Sequence, residues 1–259
     1  MKRVGIIGLG LIGGSLAEAL HKCQSTVELV GIDNEPHTRE QALKANIFTR
    51  VSDQIAEAAS CDLLVVCVPL PAVQPVFTAI AASCSPATLV TDVIGLKSPV
   101  LDLAETYLPD QPFVGSHPMA GGTVAGFSER RADLFEGFPV AICPHADPSI
   151  TDKIQSFWQS VGAEPLQMSA SEHDRIVAIT SHLPYLTSVI LRSVASNDET
   201  TSALRGKGFA RATRYADFLP EIMGTVVGHN PHIPQLLRDF SKRYAQLADE
   251  LEKDPDTLL

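Results

Sequence analysis

The sequence predicts an α/β domain built on a doubly wound, mostly parallel sheet, followed by an all-α domain. Three observations predict it. A glycine-rich turn joins the first apolar run directly to a helical stretch, strand-length apolar runs then alternate with helical spacing, and strand signals cease after residue 168. The expected division is a sheet domain over residues 1–168 and a helical domain over residues 169–259.

Residues 3–7 form the first apolar run, which leads into Gly8-Leu9-Gly10-Leu11-Ile12-Gly13 and then into a helical stretch beginning Gly14-Ser15-Leu16. In a dinucleotide-binding βαβ unit the first glycine makes the tight turn and the second lets a pyrophosphate approach the backbone. The third packs helix against strand, and the helix start offers free N–H groups to phosphate. Gly8, Leu9, Gly10, Leu11, Ile12 and Gly13 are therefore expected to cradle a dinucleotide. The next β-rich run, residues 27–32, ends in Asp33, about 20 residues beyond the last of these glycines. A carboxylate there accepts hydrogen bonds from a ribose 2′-hydroxyl and repels a 2′-phosphate, which predicts NAD over NADP. Asn34-Glu35-Pro36 gives Asp33 a second reading, as the N-cap of a following helix.

Residues 41–45 read as the end of that helix and residues 53–58 as a short amphipathic one. The unbroken apolar run 61–68 suits a parallel strand buried on both faces. It ends in Pro69-Leu70-Pro71, so Val68, Pro69 and Pro71 are expected over the cofactor, where loops leave the carboxyl ends of such strands. A helix over 72–84, a buried strand over 87–93 and a helix capped by Ser98 with Pro99 in its first turn follow. Residues 111–115 are a further strand that runs into Ser116-His117-Pro118-Met119-Ala120-Gly121-Gly122. This puts His117 at the carboxyl end of a sheet strand, on a glycine-rich loop, where ligands bind. Strands over 138–143 and 163–168 flank a helix at about 150–161.

Composition narrows the function. An apolar content of 45% with 19% charged residues is that of a globular protein, and a net charge of −10 argues against a nucleic-acid or anionic-membrane surface. An anionic substrate must then meet specific cations. No charged-then-apolar leader precedes the first strand and no run is long enough to span a bilayer, so a cytoplasmic protein is expected. The five cysteines are widely spaced, without a metal-binding pattern, and read as reduced core thiols.

In the second half, His173 and His182 are nine residues apart on a long helical stretch. At α-helical phase that turns them to nearly opposite faces, against a shared metal. Pro184 can kink the helix beside His182 and open a pocket there; the other reading is a histidine hydrogen-bonded in the core. Residues 205–214 concentrate Arg205, Lys207, Arg211 and Arg214 in an acidic chain, a place to hold an anion or a solvated basic loop. A helical segment of about 90 residues that opens on so apolar a helix is expected to bury it against a second copy, as a dimer.

Four stretches, in this order, resemble the prephenate and arogenate dehydrogenases: Gly8 through Leu16, Gly115-Ser116-His117-Pro118-Met119-Ala120-Gly121, Ser181-His182-Leu183-Pro184, and Gly208-Phe209 to Thr213-Arg214. The resemblance covers nearly the whole chain, and its histidine loop combined with Ser-His-Leu-Pro is specific. It implies an N-terminal Rossmann domain and a C-terminal helical dimerisation domain. It also implies NAD-dependent oxidative decarboxylation of a cyclohexadienyl carboxylate in tyrosine biosynthesis. By this resemblance His117 accepts the proton of the ring C4 hydroxyl, Arg214 binds a substrate carboxylate, and His182 and Tyr185 line the pocket. Three positions depart from the family pattern. Gly95 stands where relatives carry a serine that bridges the histidine and the nicotinamide, a place a water can fill in a polar site. Tyr185 replaces a second histidine found in prephenate-using relatives, and Arg211 replaces an acidic residue. These departures keep two other readings in play: a dehydrogenase of a related cyclohexadienyl compound, and a non-catalytic, NAD-responsive binding protein.

Overall fold

The computed structural model describes the chain except for residues 25, 123, 196–198, 219 and 257–259. It forms two compact units, Met1–His173 and Asp174–Leu259.

The first unit is an eight-stranded sheet: β1 (Arg3–Ile7), β2 (Glu28–Ile32), β3 (Arg50–Ser52), β4 (Leu63–Val66), β5 (Leu89–Asp92), β6 (Phe113–Pro118), β7 (Pro139–Cys143) and β8 (Glu164–Gln167), in spatial order β3-β2-β1-β4-β5-β6-β7-β8. The first six of these positions are all parallel; β7 turns antiparallel to β6, and β8 runs parallel to β7. Helices α1 (Leu11–Cys23), α2 (Pro36–Ala45), α3 (Val73–Ser83), α4 (Ser98–Tyr107) and α5 (Pro148–Gln159) connect them. Leu63, Leu64, Val65 and Val66 are all fully buried. Each contributes roughly 2 kcal/mol of gross hydrophobic burial, which is why this stretch shows no polar alternation. Beyond β6 the core continues through Phe135, Phe157 and Trp158, packed edge to face.

Five local points depart from expectation. The short strand β3 was not expected, and residues 53–58 hold only a 3-10 turn at Ile55–Ala58. Ser98 is the first helical residue of α4 and not its cap; Lys97, whose side chain is buried, occupies the cap position without a side-chain capping hydrogen bond. Strand β6 runs through His117 to Pro118, because antiparallel pairing with β7, His117 opposite Ala141, extends the ladder past Gly115. None of the five cysteines is in a disulfide, but Cys23 is exposed at the end of α1, so the core reading holds for the other four, Cys67 being only half-buried. Burial pushes the Cys61 thiol up to about 11 and raises those of Cys67 and Cys84, so they stay protonated.

The second unit is helical: the end of α6 (Ala170–Val177), then α7 (Leu183–Val194), α8 (Glu199–Ala203), α9 (Lys207–Ala212), α10 (Pro220–His229) and α11 (Ile233–Lys253). Between α6 and α7, Ala178–His182 is a π turn that ends two residues before Pro184. Proline lacks the N–H that would close the preceding α-helical turn, and the chain widens there. The α-helical count that sets His173 opposite His182 therefore does not apply across this turn. Among the described residues no helix is long and apolar enough to cross a membrane.

Candidate functional site at the carboxyl edge of the sheet

The sheet order sets out the predicted positions in space. Moving across the carboxyl ends from β2 to β6 one meets Asp33, the Gly8–Gly13 turn, Val68 and Pro69, Gly95 and then His117, in that order. Four strand spacings separate the outer two, about 19 Å. The chain diverges from β1 to β2 on one side and to β4 on the other, which opens a crevice at this point.

The glycines differ in what they do. Gly8 has φ +95°, and a Cβ on it would lie 2.5 Å from the carbonyl oxygen of Cys67. A Cβ on Gly13 would lie 2.0 Å from the carbonyl oxygen of Gly8, so helix and turn touch backbone to backbone. A Cβ on Gly10 would meet nothing within 4 Å: the space that a phosphate needs is open beside the first turn of α1. Asp33 accepts a hydrogen bond from the Leu9 N–H at 2.7 Å and another from the Glu35 N–H at 2.8 Å. The helix cap is Glu35, which sets aside the capping role for Asp33 and leaves its carboxylate against the glycine turn. Leu70 is buried and anchors a 3-10 turn on which Pro69 and Pro71 are exposed, and Val68 is half-buried. Gly95 is half-buried in a bend after β5. The residues present thus fit a dinucleotide.

His117 is held by a buried ionic cluster. Asp92 and Lys97 have fully buried side chains and form an ion pair. Asp92 also accepts from the N–H groups of Ser116 (3.0 Å) and Ile94 (2.9 Å), while Lys97 donates to the Ser116 carbonyl at 2.7 Å. The Ser116 hydroxyl meets that of Thr91 at 2.8 Å. The peptide groups flanking Ser116 are gripped from both sides, and the backbone entering His117 is fixed. The imidazole itself is half-buried; its Nδ1 lies 2.9 Å from Nε2 of His173, with the rings at 73°. His173, on α6 within the first unit, is 1% exposed. Past His117 the loop approaches the start of α1, where a Cβ on Gly122 would sit 3.1 Å from Leu11.

In the second unit His182 is buried and hydrogen-bonded, and Tyr185 is 8% exposed one turn further on. Ser188 donates to the Ala212 carbonyl at 2.8 Å and Arg192 to that of Thr213 at 2.7 Å, pinning α7 to the segment that carries Arg214. Arg214 is exposed, its guanidinium 5.5 Å from the centre of the Tyr215 ring, and Arg211 is exposed as well.

The nucleotide-binding domain of prephenate dehydrogenase, as a family profile, matches residues 16–166, and its dimerization domain matches residues 169–259. The chain belongs to the prephenate dehydrogenase family. A cyclohexadienyl dehydrogenase of Zymomonas mobilis is 31% identical over 275 residues, covering all of this chain and 92% of that protein. A prephenate dehydrogenase of Bacillus subtilis is 29% identical over 87% of this chain and 63% of its own length. The crystal structure of prephenate dehydrogenase from Aquifex aeolicus in complex with hydroxyphenyl propionate and NAD+ superposes with a TM-score of 0.91 at 25% identity, covering 100% of this chain and 93% of that one.

Sequence reasoning missed four polar residues that this family fold buries: Asp92, Lys97, His173 and Asn230. For the first two a signal existed, since a lysine five residues beyond an aspartate that ends an apolar strand is a charge entering a core. His173 was weighed only as a metal ligand, and among the described residues no group of three or more His, Cys, Asp or Glu side chains could hold a metal.

Proposed function

We propose that this chain is an NAD-dependent dehydrogenase that oxidatively decarboxylates a cyclohexadienyl carboxylate, prephenate or arogenate, in the cytoplasm and as a homodimer. NAD supplies the hydride acceptor for the hydrogen on ring C4. The observation that carries the reading is a titratable imidazole, fixed by a buried ion pair, on the carboxyl edge of a dinucleotide-binding sheet. The remaining steps fall to side chains. As hydride leaves C4, the C4 hydroxyl proton moves to Nε2 of His117; the bond to the ring carboxylate then breaks, CO2 departs, its electron pair makes the ring aromatic, and the C4 oxygen takes the proton back from Nε2 to give the phenol. For Nε2 to accept, Nδ1 must carry the proton of the neutral imidazole and donate it to Nε2 of His173. The imidazolium formed in the reaction then keeps a hydrogen-bond acceptor.

Gly8, Leu9, Gly10, Leu11, Ile12 and Gly13 hold the pyrophosphate, Asp33 the adenosine ribose, and Val68, Pro69, Pro71 and Gly95 the nicotinamide half. Arg214 takes a substrate carboxylate, and His182 and Tyr185 line the pocket. Dimerisation is supported by the matched profile and by exposed apolar side chains on α7 (Ile190, Val194) and α11 (Phe240, Tyr244). Gly95 and Tyr185 favour a second reading, in which the same ring chemistry serves a related cyclohexadienyl compound. The test of the main reading is His117→Asn, which keeps a polar side chain but removes the base. Turnover falls on the order of 10²-fold or more with NAD affinity unchanged; an unchanged rate contradicts the assignment.

A further inference from the structure

Asn230, the residue after α10, is 2% exposed and has its amide tied at both ends to main chain. Its Oδ1 accepts the His232 N–H at 3.0 Å, and its Nδ2 donates to the Asp174 carbonyl at 2.8 Å. A backbone N–H can only donate and a carbonyl can only accept, so the amide has one orientation. Turned over, it would set donor against donor and acceptor against acceptor in a buried place. The same Nδ2 lies 3.1 Å from Nδ1 of His182, which is itself 2% exposed. An amide nitrogen has two hydrogens and no available lone pair, so Nδ1 of His182 is the acceptor. In the neutral ring the proton is then on Nε2.

We propose that Asn230 is a positioning residue: it holds His182 as the neutral Nε2–H tautomer, so that His182 meets the substrate as a hydrogen-bond donor and never as a base. The assignment of the tautomer stands on the amide geometry alone, whereas the role toward substrate rests on His182 lining the site proposed above. Protonating Nδ1 would face an N–H against the amide NH2, which opposes the imidazolium. The substrate group that such a donor takes is a carboxylate or carbonyl oxygen. A carboxylate is common to the keto-acid and amino-acid forms of the substrate; a keto carbonyl belongs to the first alone, and an ammonium group offers such a donor no lone pair.

The experiment is a two-bond 1H–15N correlation spectrum of the full chain labelled with 15N-histidine at neutral pH, with His182→Gln identifying the signal. Wild-type protein gives the Nε2–H pattern; an Nδ1–H or imidazolium pattern overturns the proposal. Asn230→Asp presents an acceptor to Nδ1 and converts His182 to the Nδ1–H or imidazolium form. If that variant does not fold, the wild-type spectrum alone decides. In the folded variant KM for prephenate or arogenate rises by roughly tenfold or more, with the NAD dissociation constant unmoved. An unmoved KM beside a converted tautomer overturns the donor role toward substrate. Absence of turnover in the wild type defeats the functional reading and leaves the tautomer result standing.

Discussion

The two units fix their candidate site residues by different means. In the first, the β-ladder places His117, and a charged pair with fully buried side chains holds the backbone that leads into it. In the second, the described residues form no ladder, and single side chains reach across to distant carbonyls: Ser188 to Ala212, Arg192 to Thr213, Asn230 to Asp174. A sheet edge delivers a residue to a set depth because every neighbouring strand shares its register. Helices leave each contact to be made separately, so the precision there is spread over many weak bonds.

The sharpest way to break this contrast is Lys97→Met. It leaves Asp92 buried without its cation, and a loss of about 3–5 kcal/mol is expected in urea unfolding of the first unit. A loss under about 1 kcal/mol would mean that the ladder alone suffices. In the second unit the matching change is far milder. Ser188→Ala removes one hydroxyl from a buried place and is expected to lower stability by about 1 kcal/mol, read as a shift in the unfolding midpoint. A loss as large as that of Lys97→Met would erase the distinction between the units.

The smallest effect is electrostatic and lies at the opposite end of the sheet. Asp62 is exposed, and hydrogen bonds from the N–H groups of Lys2 (2.5 Å) and Arg3 (3.1 Å) hold its carboxyl below the ordinary value of 3.8. A depressed folded-state value means that its contribution is complete above the unfolded value and is lost as pH falls through the folded one. The gap in Tm between wild type and Asp62→Asn is therefore constant near neutrality and closes on acidification below about 3.9. A gap that persists undiminished in acid would remove the linkage.

What was legible in the sequence follows the same division. The glycine turn, the buried runs and the place of His117 are local patterns, each readable within about ten residues of chain, and the register of a parallel sheet then brings them to one edge. The clamp was only partly legible: Asp92 and Lys97 lie close together in the sequence, but the Ser116 main chain that they grip lies 19 residues beyond Lys97, and a lysine in a sequence reads as solvated. The partner of His117 was not legible; it lies 56 residues further along the chain. On the helical side the α-helical phase argument for His173 and His182 does not carry across Ala178–His182, which leaves α geometry. The pattern signals where apolar faces lie; it does not carry the side chain to backbone bonds that set Asn230 and His182.

The account's central claim is that this edge oxidises a cyclohexadienyl carboxylate with NAD, and NADH and CO2 release by the wild-type enzyme tests it most directly. With prephenate and arogenate as substrates, and NAD and NADP as cofactors, the account predicts equal yields of NADH and CO2 from at least one substrate, with NAD preferred. Binding of NAD with no turnover of either substrate would contradict it.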